Sequence, residues 1–150
     1  SIPVIAAGGI GSGKAMAAAF ALGAEGVQIG SRFVVTPESS AHINFKNAIV
    51  DANEGATELT LKELTPVRLM KNKFYHQIQD AYNNNATDNE LKEILGRARA
   101  KMGMFEGDLD EGELEIGQIS SAISAIKPAH LIVKEIMQEF HLTISQLQKY

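Results

Sequence analysis

The first apolar run, Ile2-Pro3-Val4-Ile5-Ala6-Ala7, is continuous rather than alternating and stops at Gly8-Gly9. A short unbroken run bounded by glycine fits a strand buried on both faces, predicted here over Pro3 to Ala7. Gly8 to Gly13 reads as a glycine-rich turn. Lys14 to Leu22 reads as a short helix whose alanines let it pack closely on a sheet. Gly23 fits its C-terminal cap, and Glu25 to Ile29 starts a second strand. This strand–helix–strand order, with corresponding points about twenty residues apart, makes a tight parallel crossover.

Further along, Thr36 can cap a helix, Pro37 suits its first position and Glu38 complements its dipole, so a helix is predicted from Thr36 to about Ala52. Glu58 to Leu61 reads as a short extended piece, and Pro66 to Tyr75 as helical with a basic face. Thr87-Asp88-Asn89-Glu90 is a capping box. Leu91, Ile94, Leu95, Ala98 and Met102 follow it at helical spacing. After an acidic loop, Ile116 to Ile126 is predicted as helix, Pro128 breaks it, and a last helix carries Leu131, Ile132, Ile136, Met137 and Phe140 on one side.

Two parallel strands followed by helices cannot stand as a free sheet, because parallel strands need neighbours on both sides and cover on both faces. They can supply the last two strands of a TIM (β/α)8 barrel with an appended helical region. The expected class is therefore α/β, the C-terminal part of such a barrel, with about six strands contributed by a preceding N-terminal half. The expected division is residues 1–52 as the end of the barrel and 53–150 as a helical extension packed on it, incomplete without that half.

Composition narrows the chemistry. At 45% hydrophobic and 21% charged over 150 residues, the chain has enough apolar content for one sizeable core, so sheet neighbours are what it lacks. Cysteine is absent, and His42, His76, His130 and His141 are scattered, so no metal site is expected. The net charge of −4 is local: Glu106, Asp108, Asp110, Glu111, Glu113 and Glu115 fall in one stretch without a base. Asp108, Asp110 and Gly112 suggest calcium, but the spacing to a bidentate glutamate is missing, so a solvated loop is expected. No basic stripe with interleaved aromatics indicates nucleic acid, and no apolar run is long enough to span a bilayer.

The turn Gly8-Gly9-Ile10-Gly11-Ser12-Gly13-Lys14-Ala15 admits three readings. It fits a P-loop except that Ala15 stands where a hydroxyl must ligate magnesium. The Rossmann spacing is met in no register, and no acidic residue ends the second strand. The third reading is a barrel phosphate site, in which glycines at successive strand ends let the backbone approach phosphate oxygens. Gly8-Gly9 would form one half and Gln28-Ile29-Gly30-Ser31 the other, with Ser31 adding a hydroxyl and Gln28 an amide. Against it stands the plain alternative that these glycines only make tight turns.

The ordered set Ile5-Ala6-Ala7-Gly8-Gly9-Ile10, Leu22 to Phe33, Glu38-Ser39-Ser40-Ala41-His42, Arg68-Leu69-Met70-Lys71-Asn72 and Gly117-Gln118 resembles the nitronate monooxygenase and enoyl-acyl-carrier-protein reductase II family of FMN-dependent barrels. The resemblance is dense over about the first 50 residues and patchy beyond. It implies that Gly8, Gly9, Gln28, Ile29, Gly30 and Ser31 hold the FMN phosphate, and that Gly117-Gln118 returns near the flavin. It also implies that the family's catalytic histidine belongs to the preceding half, with His42 structural. The expected activity is NAD(P)H-dependent reduction of enoyl-acyl-carrier-protein thioesters in fatty-acid synthesis. Nitronate oxidation is the alternative, and a flavin-free phosphosugar barrel is the remote one. Arg68, Lys71, Lys73, Arg97, Arg99 and Lys101 form two basic clusters that would suit an acidic carrier protein, or are solvated helix faces. A cytoplasmic homodimer completes the expectation.

Overall fold

The structure, a computed structural model, describes residues 2–149. In chain order its elements are β1 (Ile5–Ala7), α1 (Gly13–Ala21), β2 (Gly26–Gln28), α2 (Ser31–Val34) and α3 (Ile43–Val50). There follow β3 (Thr57–Thr60), β4 (Val67–Met70), α4 (Lys73–Asn83), α5 (Asp88–Leu95), a π-helical turn (Lys101–Phe105), a 3-10 turn (Gln118–Ala122) and α6 (Ala129–Leu147). They form two compact units, one of residues up to 39 with those from 125 onward, the other of residues 40–124. The last helix thus groups with the first strands.

In the first unit β1 and β2 pair in parallel, Ile5 opposite Gly26 and Ala7 opposite Gln28. Val4 and Ile5 stay 62% and 53% exposed, so the pair carries apolar surface that parallel sheets normally cover. Helix α1 packs on α6. A Cβ at Gly13 would run into the backbone of Ile136, Glu139 and Phe140, so only glycine permits that approach. Phe20 and Phe140 meet edge to face at 5.4 Å, and Ala17, Ile132 and Ile136 are buried. Leu131 and Met137, expected on the packed side of the last helix, are exposed.

The helix expected from Thr36 begins instead at Ile43, with His42 as its N-cap. Thr36 closes a local turn, its hydroxyl donating to the Phe33 carbonyl and accepting from the Ser39 amide. Glu38 does serve a helix N-terminus, but a distant one: its carboxylate accepts the Ala129 amide at 3.0 Å, where Pro128 offers no side-chain cap. Hydrogen bonds from its own amide and that of Ala129 hold the Glu38 carboxyl below its usual range.

The second unit is built around β4. The stretch Pro66 to Tyr75, expected as helix, holds a strand paired antiparallel with β3, Thr57 opposite Met70 and Thr60 opposite Val67. On its other side Met70 donates to the Leu114 carbonyl and Ile116 to that of Arg68. Backbone pairing on both edges overrides the helical propensity of Arg68-Leu69-Met70-Lys71. Committing Ile116 to that ladder also shortens the helix expected from Ile116 to the 3-10 turn. The extended piece at Glu58 is β3. The capping box is fully formed at Thr87 and Glu90, but α5 ends at Leu95, because Gly96 and Ala98 take φ of +61 and +63.

Leu61, Leu69, Phe74, Tyr75 and Ile78 form the core here. Asn72 is its polar pivot. Its Oδ1 caps α4 by accepting the Tyr75 amide, and its Nδ2 donates to the carbonyls of Leu109 and Gly112. Arg99 lies 4.5 Å over the Phe74 ring and donates to the carbonyls of Ile94 and Glu111. The acidic stretch is thus a loop tied to the unit through its backbone, with carboxylates such as Glu106 still 52% exposed. Asp108 accepts the amides of Asp110 and Glu111, and Glu111 pairs with Lys73 and Arg99.

Asn72→Ala removes a cap and leaves two carbonyls short of a donor, so it should cost about 2 kcal/mol in chemical denaturation. Asn72→Asp, which keeps the cap but turns a carboxylate oxygen toward those carbonyls, should recover little of that loss. Burial and the bond to Glu58 push the Tyr75 phenol up from 10.0 to about 12. A raised folded value means its contribution is complete below pH 10 and lost as pH rises towards 12. Tyr75→Phe should remove that alkaline loss in melts compared on either side of pH 10.

Candidate functional site

The parallel register places the C-terminal ends of β1 and β2 side by side, so Gly8-Gly9 leave one strand beside Ile29-Gly30-Ser31 leaving the other. Gly8 and Gly9 have φ of +89 and +70, a left-handed path that side chains rarely adopt. Gly30 is different. Its φ is −105, and a Cβ on it would meet no heavy atom within 4 Å; the same open space lies beside Gly8 and Gly9. Nothing in this chain's own packing requires glycine at position 30, whereas a ligand pressed against the backbone would. Gln28 and Gly30 are exposed, and Ile29 and Ser31 are half-buried at the start of α2.

The α1 N-terminus is occupied from within. Ser12 Oγ accepts the Ala15 amide at 3.1 Å, and the Glu139 carboxylate accepts the Gly13 amide at 2.7 Å. A carboxylate thus sits where a P-loop would hold phosphate, which removes the P-loop reading on geometry as well as on Ala15. The open space lies instead beside Gly8, Gly9 and Gly30 at the strand ends. Arg32 supports them, donating from Nη1 to the Gly11 carbonyl at 3.1 Å and from Nη2 to Glu135 at 3.2 Å. Glu135 also accepts from Lys127 at 2.6 Å, and these bonds keep its carboxyl below the usual range, Lys127 contributing most.

Sequence reasoning named Gly8, Gly9, Gln28, Ile29, Gly30 and Ser31, and the structure brings the two strand ends together. It did not single out Arg32, Glu135 and Glu139. Glu139 lies 126 positions from the amide it holds and Glu135 lies 103 from Arg32, so no local pattern announces them. Gly117-Gln118 lies in the second unit, Gly117 as N-cap of the 3-10 turn. His42 caps α3 by accepting the Asn44 amide at 3.1 Å, and its ring fills the space where a Cβ of Gly107 would be. Its place is structural.

Four of the six cations in the two basic clusters are paired with carboxylates of the same unit. Lys71 pairs with Glu58 at 3.1 Å, Lys101 with Glu106 at 2.7 Å, and Lys73 and Arg99 with Glu111. Those cations are spent on the unit's own carboxylates. Among the described residues no cluster of histidine, aspartate and glutamate is arranged to hold a metal, and no helix is long and apolar enough to cross a membrane.

Known proteins share this arrangement. The family profile described as nitronate monooxygenase matches residues 1–139. A probable nitronate monooxygenase of Staphylococcus saprophyticus is 33% identical over 140 residues, covering 92% of this chain and 39% of that protein. FabK from Thermotoga maritima is 40% identical with a TM-score of 0.91, covering all of this chain and 48% of that one. A nitroalkane oxidase from Streptomyces ansochromogenes is 32% identical with a TM-score of 0.72, covering 98% of this chain and 42% of that one. The chain thus spans about two fifths of its curated relatives' length. The paired glycine strand ends and these likenesses lead to one conclusion: the chain belongs to the nitronate monooxygenase family and forms the C-terminal part of its (β/α) barrel.

Proposed function

We propose that Gly8, Gly9, Gln28, Ile29, Gly30 and Ser31 hold the phosphate of FMN in an oxidoreductase that reduces enoyl-acyl-carrier-protein thioesters with NAD(P)H. The observation that carries the cofactor reading is the open backbone at the two adjoining strand ends, above all at Gly30, which has no internal reason to be glycine. Backbone amides presented without a Cβ suit phosphate oxygens, and members of the family depend on FMN. The flavin would supply hydride transfer, while this chain's part is to bind and orient it through its phosphate. The substrate-side histidine that the family resemblance implies belongs to the preceding half.

The reductase reading is supported by the likeness to FabK, 40% identical with a TM-score of 0.91, against 32% and 0.72 for the nitroalkane oxidase. Nitronate oxidation is the second reading, supported by the family profile and by the names of the curated relatives. Lys71, Lys73, Arg99 and Lys101 are paired within the unit, so the reading leans on that likeness more than on a basic docking face.

Two measurements test the proposal. Gly30→Val should weaken FMN binding at least about tenfold while leaving the apoprotein's melting temperature unchanged, since the new side chain meets nothing in this chain. Unaltered affinity would show that the phosphate lies elsewhere. In anaerobic turnover, NADH consumption that requires a crotonyl thioester is the expected result. Flavin reduction by propyl nitronate and not by NADH would replace the reductase reading with the second one.

A further inference from the structure

Arg32 joins the two halves of the strand-end site. It follows Ser31 directly in α2, at the β2 end, yet its Nη1 holds the Gly11 carbonyl of the loop leaving β1. Its second arm reaches Glu135 on α6, and the side chain is only 19% exposed. One helical turn on, Glu139 holds the Gly13 amide at the far end of the same loop. Two carboxylates at i and i+4 on α6 therefore fasten the loop at Gly11, through Arg32, and at Gly13, directly. Gly8-Gly9 keep their left-handed path with no side chain to brace them; the β1–β2 pairing at Ala7 holds the loop on one side and these ties hold it on the other.

We infer that Arg32, Glu135 and Glu139 are positioning residues that preset the Gly8–Gly13 loop for the cofactor's phosphate. This rests on the reading of the strand ends as the FMN phosphate site. None of the three needs to touch FMN. Arg32 does the work of a fork: guanidinium can hold a carbonyl and a carboxylate at once, which a lysine ammonium on a flexible stem cannot do with the same geometry. Glu139 has a second consequence. By placing its carboxylate on α1's first amide it keeps an external anion off that helix end, so the phosphate is confined to the strand ends. A loop already held in its bound shape loses less freedom when the ligand arrives, and that difference appears as affinity.

The full-length flavoprotein allows the test, with FMN and riboflavin as probes because they differ only in the phosphate. Arg32→Leu and Glu139→Ala should each raise the FMN dissociation constant about tenfold or more and leave riboflavin affinity unchanged. Glu139→Gln retains an oxygen for the Gly13 amide and should restore FMN affinity to within about twofold. Arg32→Lys keeps the charge without the fork and should stay weak; full recovery in Arg32→Lys would overturn the proposal. Equal losses for FMN and riboflavin would also overturn it, since they would report general loosening of the unit. Should Arg32→Leu fail to fold, Arg32→Lys and Glu139→Ala carry the same test. If Gly30→Val weakens FMN while Arg32→Leu and Glu139→Ala do not, this inference fails and the clamp stands. If Gly30→Val has no effect, the clamp reading is the one that fails.

Discussion

Gly13 leaves no space for a side chain, because the backbone of α6 at Ile136, Glu139 and Phe140 comes directly against it. That approach sets much of the first unit. It brings the Glu139 carboxylate to the Gly13 amide, seats Phe140 on Phe20 and buries Ile132 and Ile136. It also places Glu135 where Arg32 can use it as a counter-ion. A helix more than a hundred positions later in the chain thereby closes on the first strand–helix turn. The amides of that turn are drawn into packing, and the glycines before it are left open.

The second unit solves a different problem, that of placing an irregular acidic segment against a small sheet. Asn72 meets it with one side chain, which caps α4 and donates to two carbonyls of the segment. Asp108 turns its carboxylate onto backbone amides, and Glu111 gathers Lys73, Arg99 and Gln77. Charges that look like surface decoration in the sequence are therefore internal ties. Glu111 sits below its usual range through its hydrogen bonds to Lys73 and Gln77.

The motifs shared with the family divide by role once the structure is in hand. Gly8-Gly9 and Gln28 to Ser31 adjoin open space at the ends of paired strands. Arg68 to Asn72 is architecture: a strand laddered on both edges, followed by the pivot that starts α4. Gly13 belongs to architecture as well, although it stands in the most nucleotide-like stretch of the chain. Adjacent glycines can thus answer to unrelated demands, one to close helix packing and another to a ligand.

The parallel strand–helix–strand unit, the capping box at Thr87, the glycine-ended strands and the family are all legible in the chain alone. Each is written in local periodicity or in a short ordered motif, so no distant residue is needed to read it. The starts and ends of the other elements were decided by tertiary structure. Thr36, Pro37 and Glu38 have the chemistry of a helix start, yet Thr36 closes a turn and Glu38 caps a helix that begins at Ala129. Arg68 to Met70 has helical propensity, yet two backbone partners from elsewhere make it a strand. Arg32, Glu135 and Glu139 acquire their places in the same way. A hydrogen bond between residues a hundred positions apart leaves no periodic trace in the chain, and only folding brings its donor and acceptor together.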